Sequence, residues 1–415
     1  VHKQDAPYRV AVTGIGVITP IGTGIEQFWR RLRAGEIGTR TITRFDASDF
    51  PSRIAAQVED FDPSDYLSPK RVRWTDRYAQ FAVCAAKLAL DDGAFSINGN
   101  GNDMSVYMGS ALGGLAYADE QYGVFRERGL SAVRPLLAIS VFGGASTSNI
   151  SMEFGLHGQN VANANSCASG AVAIGQAYQA IARGETRAAL AGGVEAPLAP
   201  LLYGAFTVIN AMSRNNDDPK GASRPFDRKR DGFVMSEGAG VLLLERLEDA
   251  LARDTHIYGE VCGFGLTNDG YHMSAPRPDG KHVARAMQRA LDDAAVSPDE
   301  VEAINAHGSS TPLGDKTEAL SYGSVFGERA SRIPMSATKG QHGHALGATG
   351  AWEVAISLMS MRDGAIPSTV NFEAGDDGYA IGVVREEVSV RPRVVLSNSS
   401  GFGGINAALI LRSSD

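Results

Sequence analysis

Short runs of apolar residues, bounded by glycine and polar turns, read as strands at 9–14, 105–109, 188–191, 240–245, 302–306, 394–398 and 407–411. Helical patterns lie between them. Ala351, Val354, Ala355, Leu358 and Met359 keep the spacing of a core-facing helix face, and a run of small residues up to Ala182 predicts another helix. Ser297-Pro298-Asp299-Glu300 has the form of a capping box with proline at the first helical position, which predicts a helix start. Strands alternating with helices predict sheets covered on both faces.

The stretch 9–14 reads as a strand ending in a glycine turn. Gly14, Gly16, Gly22 and Gly24 do not form a dinucleotide-binding fingerprint, because Thr19 occupies the third glycine position and Pro20 follows. They read as turn and packing residues. The polar stretches 93–103 and 213–225 read as long loops, and neither has the composition of a flexible linker. A strand restarting at Ile257 divides the chain into halves 1–256 and 257–415. No sequence repeat links the two, yet a duplicated α/β architecture fits the layout.

Composition narrows the class. A chain of 415 residues with 43% hydrophobic content can bury one very large core or two ordinary ones, and 48 glycines favour an α/β protein with tight turns over a helical bundle. The net charge of −8 argues against nonspecific nucleic-acid binding. Cys84, Cys167 and Cys262 are widely spaced and form no CxxC pair, which predicts free thiols in a reducing compartment and no zinc ribbon. The polar start Val1-His2-Lys3-Gln4-Asp5 and the lack of any run near the roughly 18 apolar residues of a membrane span predict a cytoplasmic protein with no membrane association.

Cys167 stands in Asn165-Ser166-Cys167-Ala168-Ser169-Gly170, where a helix begins. Backbone N–H groups at a helix start stabilise a thiolate and can cradle an oxyanion. An isolated cysteine is more often a small buried hydrophobe, but two further segments carry histidines in glycine-rich surroundings after strand candidates: 305–315 with His307, and 336–348 with Lys339, His342 and His344. Loops at the carboxyl ends of strands are where open α/β sheets place their chemistry.

These segments resemble the β-ketoacyl-acyl carrier protein synthases of the elongating class I/II, within the thiolase-like superfamily. The resemblance runs nearly end to end, through 12–17, the Cys167 segment, Arg224-Pro225-Phe226-Asp227, Arg230-Asp231-Gly232-Phe233, 237–240, both histidine segments and Gly401-Phe402-Gly403-Gly404. It implies a thiolase-like fold of two similar α/β halves stacked as a five-layered αβαβα sandwich, and a decarboxylative Claisen condensation that extends an acyl group by two carbons. Cys167 would carry the acyl group. His307 and His344 would stabilise an enolate, Lys339 and Glu353 would form a supporting charged pair, and the N–H groups of Cys167 and Phe402 would form an oxyanion hole. Ser309 and Thr311 would bind the pantetheine arm of acyl carrier protein, and Lys70, Arg71 and Arg73 would belong to the docking surface for that acidic partner. The resemblance further implies no metal or redox cofactor, a non-catalytic His342, structural roles for Asp227, Arg230 and Asp231, and a dimer, either with itself or with a chain-length-factor-like subunit.

The chain departs from the family pattern at Ser400, where an aromatic residue is usual before Gly-Phe-Gly-Gly, and at Asn165-Ser166 and Gly340-Gln341-His342. Ser400 is similar to the ketosynthase subunits of type II polyketide systems, whereas Thr311-Pro312-Leu313-Gly314-Asp315 has the fatty-acid-synthase form. The alternatives are a catalytic subunit paired with a chain-length factor, a non-catalytic partner, and a thiolase acting on coenzyme A thioesters.

Overall fold

A computed structural model describes residues 7–97, 101 and 104–414. Its strands are β1 (Val10–Thr19), β2 (Gly22–Thr23), β3 (Thr39–Thr41), β4 (Ile54–Ala56), β5 (Met104–Gly109), β6 (Asn160–Asn163), β7 (Ala188–Glu195), β8 (Gly238–Arg246), β9 (Gly259–Asn268), β10 (Ala303–Asn305), β11 (Met335–Ser336), β12 (Val394–Gly401) and β13 (Ile405–Arg412). The main sheet runs β11-β10-β12-β13-β9-β1-β8-β7-β5-β6, with β2 on β1 and β3–β4 forming a separate pair. Its two wings repeat one another. In each, the order is third, second, fourth, fifth, first strand, with the outer two pairings parallel and the inner two antiparallel. The wings hydrogen-bond to each other through β1 and β9, where Val10 opposes Val261.

Alternation along the strands shows what each face covers, because successive side chains point to opposite sides. Leu242 and Leu244 of β8 and Leu409 and Leu411 of β13 enter one central core, whereas Val241 and Leu243 face an outer core on one wing and Ala408 and Ile410 face an outer core on the other. The central core is filled by the helices Ser169–Ala182 and Thr349–Asp363. The helix Arg77–Asp92 covers one wing from outside, and Lys281–Asp293 with Pro312–Phe326 covers the other. The result is the expected αβαβα layering.

Several local expectations change. β1 does not turn at Gly14 but continues to Thr19, because a Cβ on Gly14 or Gly16 would overlap the carbonyls of Ala89 and Ala85; these glycines let the helix Arg77–Asp92 lie directly on the strand. The capping box at Ser297 forms, with Glu300 accepting from the Ser297 N–H at 2.8 Å, yet it opens only a 3₁₀ turn, Pro298–Glu300, since β10 begins at Ala303. The stretch 213–225 contains a short helix, Pro219–Ala222, capped by Asp218. In the stretch 93–103, Gly93 ends the preceding helix, and residues 98–100, 102 and 103 lie outside the described residues. The helix carrying Ala351 and Met359 is buried all round rather than on one face, because it occupies the middle layer. Among the described residues no helix is long and apolar enough to cross a membrane.

Candidate active site

Cys167 lies in the 3₁₀ turn Ser166–Ala168, between the carboxyl end of β6 and the helix Ser169–Ala182. Ser166 takes a left-handed conformation at φ 52°, which a non-glycine residue adopts at a cost and which aims the following side chain. The other half builds the same turn at Leu346–Ala348, with Leu346 at φ 43°, before the helix Thr349–Asp363. Gly347 occupies the place of Cys167 there.

Three further loops meet Cys167. The carboxyl end of β10 leads to His307, the segment after β11 carries Lys339 and His344, and the bend between β12 and β13 carries Phe402. Cys167, His307, His344, Ser309, Thr311, Ser400 and Phe402 line one cleft, with apolar walls from Phe206, Phe233 and Leu346. Phe402 stacks on Phe206 with ring centroids 6.2 Å apart.

Burial pushes the Cys167 thiol up to about 11, and the nearby Glu195 carboxylate adds to that rise; the Ser166 hydroxyl, the charge of Lys339 and the Phe402 backbone N–H act in the opposite sense. The thiol is therefore the resting form, and the helix start does not by itself yield a thiolate.

His307 and His344 stand edge to face, with ring centroids 5.3 Å apart and planes at 83°. Burial first, and then the positive charge of Lys339, hold both imidazoles well below the ordinary histidine range, so both are neutral near pH 7. His344 Nδ1 meets Thr349 Oγ1 at 3.2 Å, leaving Nε2 for the cleft.

Lys339 is fully buried. Its ammonium donates to the His307 carbonyl and to Glu353 Oε1, pairing with a carboxylate that is equally buried. Burial raises Glu353 to about 7 against the lowering pull of Lys339. His342 sits apart from the cleft: its ring nitrogens meet Thr338 Oγ1 at 2.9 Å and the Gly343 carbonyl at 2.8 Å, and its ring packs on Trp352.

The Ser309 and Thr311 hydroxyls lie 2.9 Å apart on the cleft wall, and Thr311 also caps the helix Pro312–Phe326. Asp227 accepts from the N–H groups of Lys229, Glu373 and Ala374, Arg230 donates to the carbonyls of Asp227, Thr311 and Pro312, and Asp231 accepts from the Arg214 N–H, so this motif orders loops around the cleft. The basic cluster divides. Lys70 and Arg73 are exposed, whereas Arg71 pairs with Glu153 at 2.6 Å.

Among the buried carboxylates that escaped the sequence reading, Glu318 and Glu195 bind the loops that carry the candidate residues. Glu318 accepts from the backbone N–H groups of His307 at 2.7 Å and Gly308 at 2.8 Å, and from Tyr322 and Asn398. Its signal was an acidic residue three positions after Asp315, on the same helix face as that motif residue. Glu195 accepts from Ser110, Ala111, Leu112 and Gly347. Its signal was a charge ending the apolar run of β7.

A thiol beside two neutral imidazoles, with a backbone N–H aimed at the sulfur, defines a condensing-enzyme type of site on a thiolase-like fold. Residues 8–250 match the N-terminal domain of β-ketoacyl synthases and residues 258–373 match their C-terminal domain, and the chain belongs to this family. It is 40% identical to 3-oxoacyl-[acyl-carrier-protein] synthase 2 of Coxiella burnetii over 97% of this chain and 98% of that one. It is 37% identical to the protein of the same name from Staphylococcus aureus, with the same coverage. Among solved structures it resembles the ishigamide ketosynthase/chain length factor at a TM-score of 0.93 and 34% identity, covering 99% of this chain and 100% of that one. It also resembles a type II polyketide ketosynthase in complex with its acyl-carrier protein and bound to the hexaketide, at 0.90 and 31%, covering 98% and 100%.

Proposed function

We propose that the chain condenses malonyl-acyl carrier protein with an acyl group held on Cys167, giving a 3-oxoacyl-acyl carrier protein two carbons longer. The observation that carries this reading is the pair of buried neutral imidazoles facing the cleft of a buried thiol.

In the first half-reaction Cys167 sulfur attacks the thioester carbonyl of an acyl carrier. The S–C bond forms, the oxyanion is held by the backbone N–H groups of Cys167 and Phe402, and the carrier thiol departs with the proton lost by Cys167. In the second, malonyl thioester enters and its carbon–carboxylate bond breaks to release CO₂. The electron pair becomes an enolate, whose oxygen accepts hydrogen bonds from His307 and His344; neutral rings donate without surrendering a proton. The enolate carbon attacks the acyl-Cys167 carbonyl, the C–S bond breaks, and the thiolate takes up a proton. One proton is consumed per turnover and no electrons are exchanged, so the reading needs no redox cofactor. Lys339 would fix the His307 loop through its carbonyl and keep the site electropositive; Ser309 and Thr311 would bind the pantetheine arm.

The partner in this reading is acyl carrier protein, approaching Lys70 and Arg73. A second subunit would cover the exposed Leu115, Tyr122, Phe125, Leu130, Ile139 and Phe142, which lie between β5 and the edge strand β6. That subunit is a second copy or a chain-length-factor-like chain; Ser400 in place of an aromatic residue favours the latter.

Incubation of the isolated chain with acyl- and malonyl-carrier protein tests the reading. It predicts equal amounts of CO₂ and 3-oxoacyl product. Product formed from acetyl-CoA alone, without a carrier protein, would contradict it. Product appearing only after addition of a chain-length-factor-like subunit would select the heterodimer.

A further inference from the structure

Glu195 is fully buried at the carboxyl end of β7, and its hydrogen-bond partners among the described residues are uncharged. It accepts four hydrogen bonds from two separate loops. Oε1 takes the Ser110 hydroxyl at 2.9 Å and the Leu112 N–H at 3.0 Å; Oε2 takes the Ala111 N–H at 2.7 Å and the Gly347 N–H at 3.0 Å. The first three donors follow β5 in the half that carries Cys167. The fourth belongs to the half that carries His344, three residues after it.

Both clamped loops bear on the chemistry. Leu346 shares an apolar cluster with Cys167, and Ala111 and Leu112 pack against that cluster. The turn at Gly347 is seated so tightly that a Cβ on this residue would stand 2.8 Å from Ser110 Cα and 2.9 Å from Glu195 Oε2. Gly347 is also the counterpart of Cys167 in the duplicated architecture, so Glu195 grips the second half at the point where the first half places its nucleophile.

We propose that Glu195 is a positioning residue for the condensation: its carboxylate fastens the turn after His344 to the loop that walls Cys167, and so sets the imidazole against the acyl-carrying sulfur. This rests on the function proposed above. Two properties follow. Loss of the clamp displaces His344 relative to Cys167, which lowers turnover more than substrate capture, because misplacement of reacting groups falls on the chemical step. Loss of the negative charge also eases ionisation of Cys167, since Glu195 adds to the elevation of that thiol. Among the described residues, the Cys167 thiol and the Tyr78 hydroxyl both sense this carboxylate.

Glu195→Gln separates the two. An amide offers one oxygen and one NH₂ group, so two of the four donors face another donor. With the full-length protein, the titration of iodoacetamide reactivity at Cys167 moves to lower pH, while kcat per alkylatable Cys167 falls by about tenfold and KM for malonyl-carrier protein stays within about twofold. A purely structural role would reduce the number of alkylatable sites and leave kcat per site unchanged; that result overturns the proposal. Should Glu195→Gln not fold, Ser110→Ala removes one donor and leaves the carboxylate: a lower kcat per site supports the clamp and an unchanged one overturns it. Wild-type turnover reports on the proposed function and the ratio of variant to wild type reports on Glu195, so the two failures are distinguishable.

Discussion

Gly401 abuts Cys167: a Cβ on Gly401 would stand 3.0 Å from the Cys167 backbone nitrogen and 3.1 Å from Ser166 Cβ. That nitrogen is one of the two donors assigned to the oxyanion. Gly401→Ala therefore pushes β12 away from the nucleophile turn. Steady-state kinetics should show kcat lowered by about a hundredfold, in the range seen when an oxyanion donor is lost, with thermal unfolding shifted by only a few degrees.

Lys339→Met leaves Glu353 buried beside an apolar neighbour. Removing one partner of a buried ion pair costs about 3–5 kcal/mol, whereas removing both in Lys339→Met/Glu353→Leu should recover most of that loss. Urea unfolding checks the stability. Activity should stay low in both variants, because the donor to the His307 carbonyl is gone from each.

Asp315 is buried, and its carboxyl is pushed up to about 7, chiefly by that burial, with the Phe226 N–H and Arg230 opposing. A carboxyl raised above its unfolded value of 3.8 favours folding in its protonated form. Its contribution is complete below the unfolded pKa and is lost as pH rises through about 7. Unfolding free energies from denaturant titrations between pH 4 and 8 should thus fall more for the wild type than for Asp315→Asn, by at most about 4 kcal/mol.

Lys70 and Arg73 are free to meet an acidic partner, whereas Arg71 is held by Glu153 and by the Asn149 carbonyl. Charge reversal at Lys70 and Arg73 together should raise KM for carrier protein by about tenfold at low salt, an effect that shrinks as salt screens it. Arg71→Ala should show a smaller salt dependence and a loss of stability.

Legibility in the sequence followed the range of the interaction. His307 and His344 could be picked out because each sits in a glycine-rich segment after a strand candidate, and Cys167 because it stands where a run of small residues predicts a helix start; the family resemblance assigned their roles. The duplicated wings were legible only as a layout, since strand order depends on pairings such as β1 with β8 across more than two hundred residues. Glu195 and Glu318 were missed because most of their partners are distant in sequence and are brought in by the fold, as Gly347 is to Glu195 and Asn398 is to Glu318. The capping box at Ser297 was real, but the helix it announced was cut short by the strand at Ala303. Gly14 and Gly16 read in the sequence as turn and packing residues; the packing holds and the turn does not, because a glycine required by a helix on one face of a strand cannot be told from a glycine that ends the strand.

In the proposed reaction Cys167 carries the acyl group while His307 and His344 serve the enolate. Intact-protein mass spectrometry after mixing with an acyl-carrier protein, in wild type, Cys167→Ala and the double variant His307→Ala/His344→Ala, tests it most directly. The account predicts one acyl adduct per chain in the wild type, mapped to Cys167 and discharged by malonyl-carrier protein, no adduct in Cys167→Ala, and an adduct in the double variant that malonyl-carrier protein fails to discharge. An adduct that persists in Cys167→Ala, or one that the double variant discharges at the wild-type rate, would contradict it.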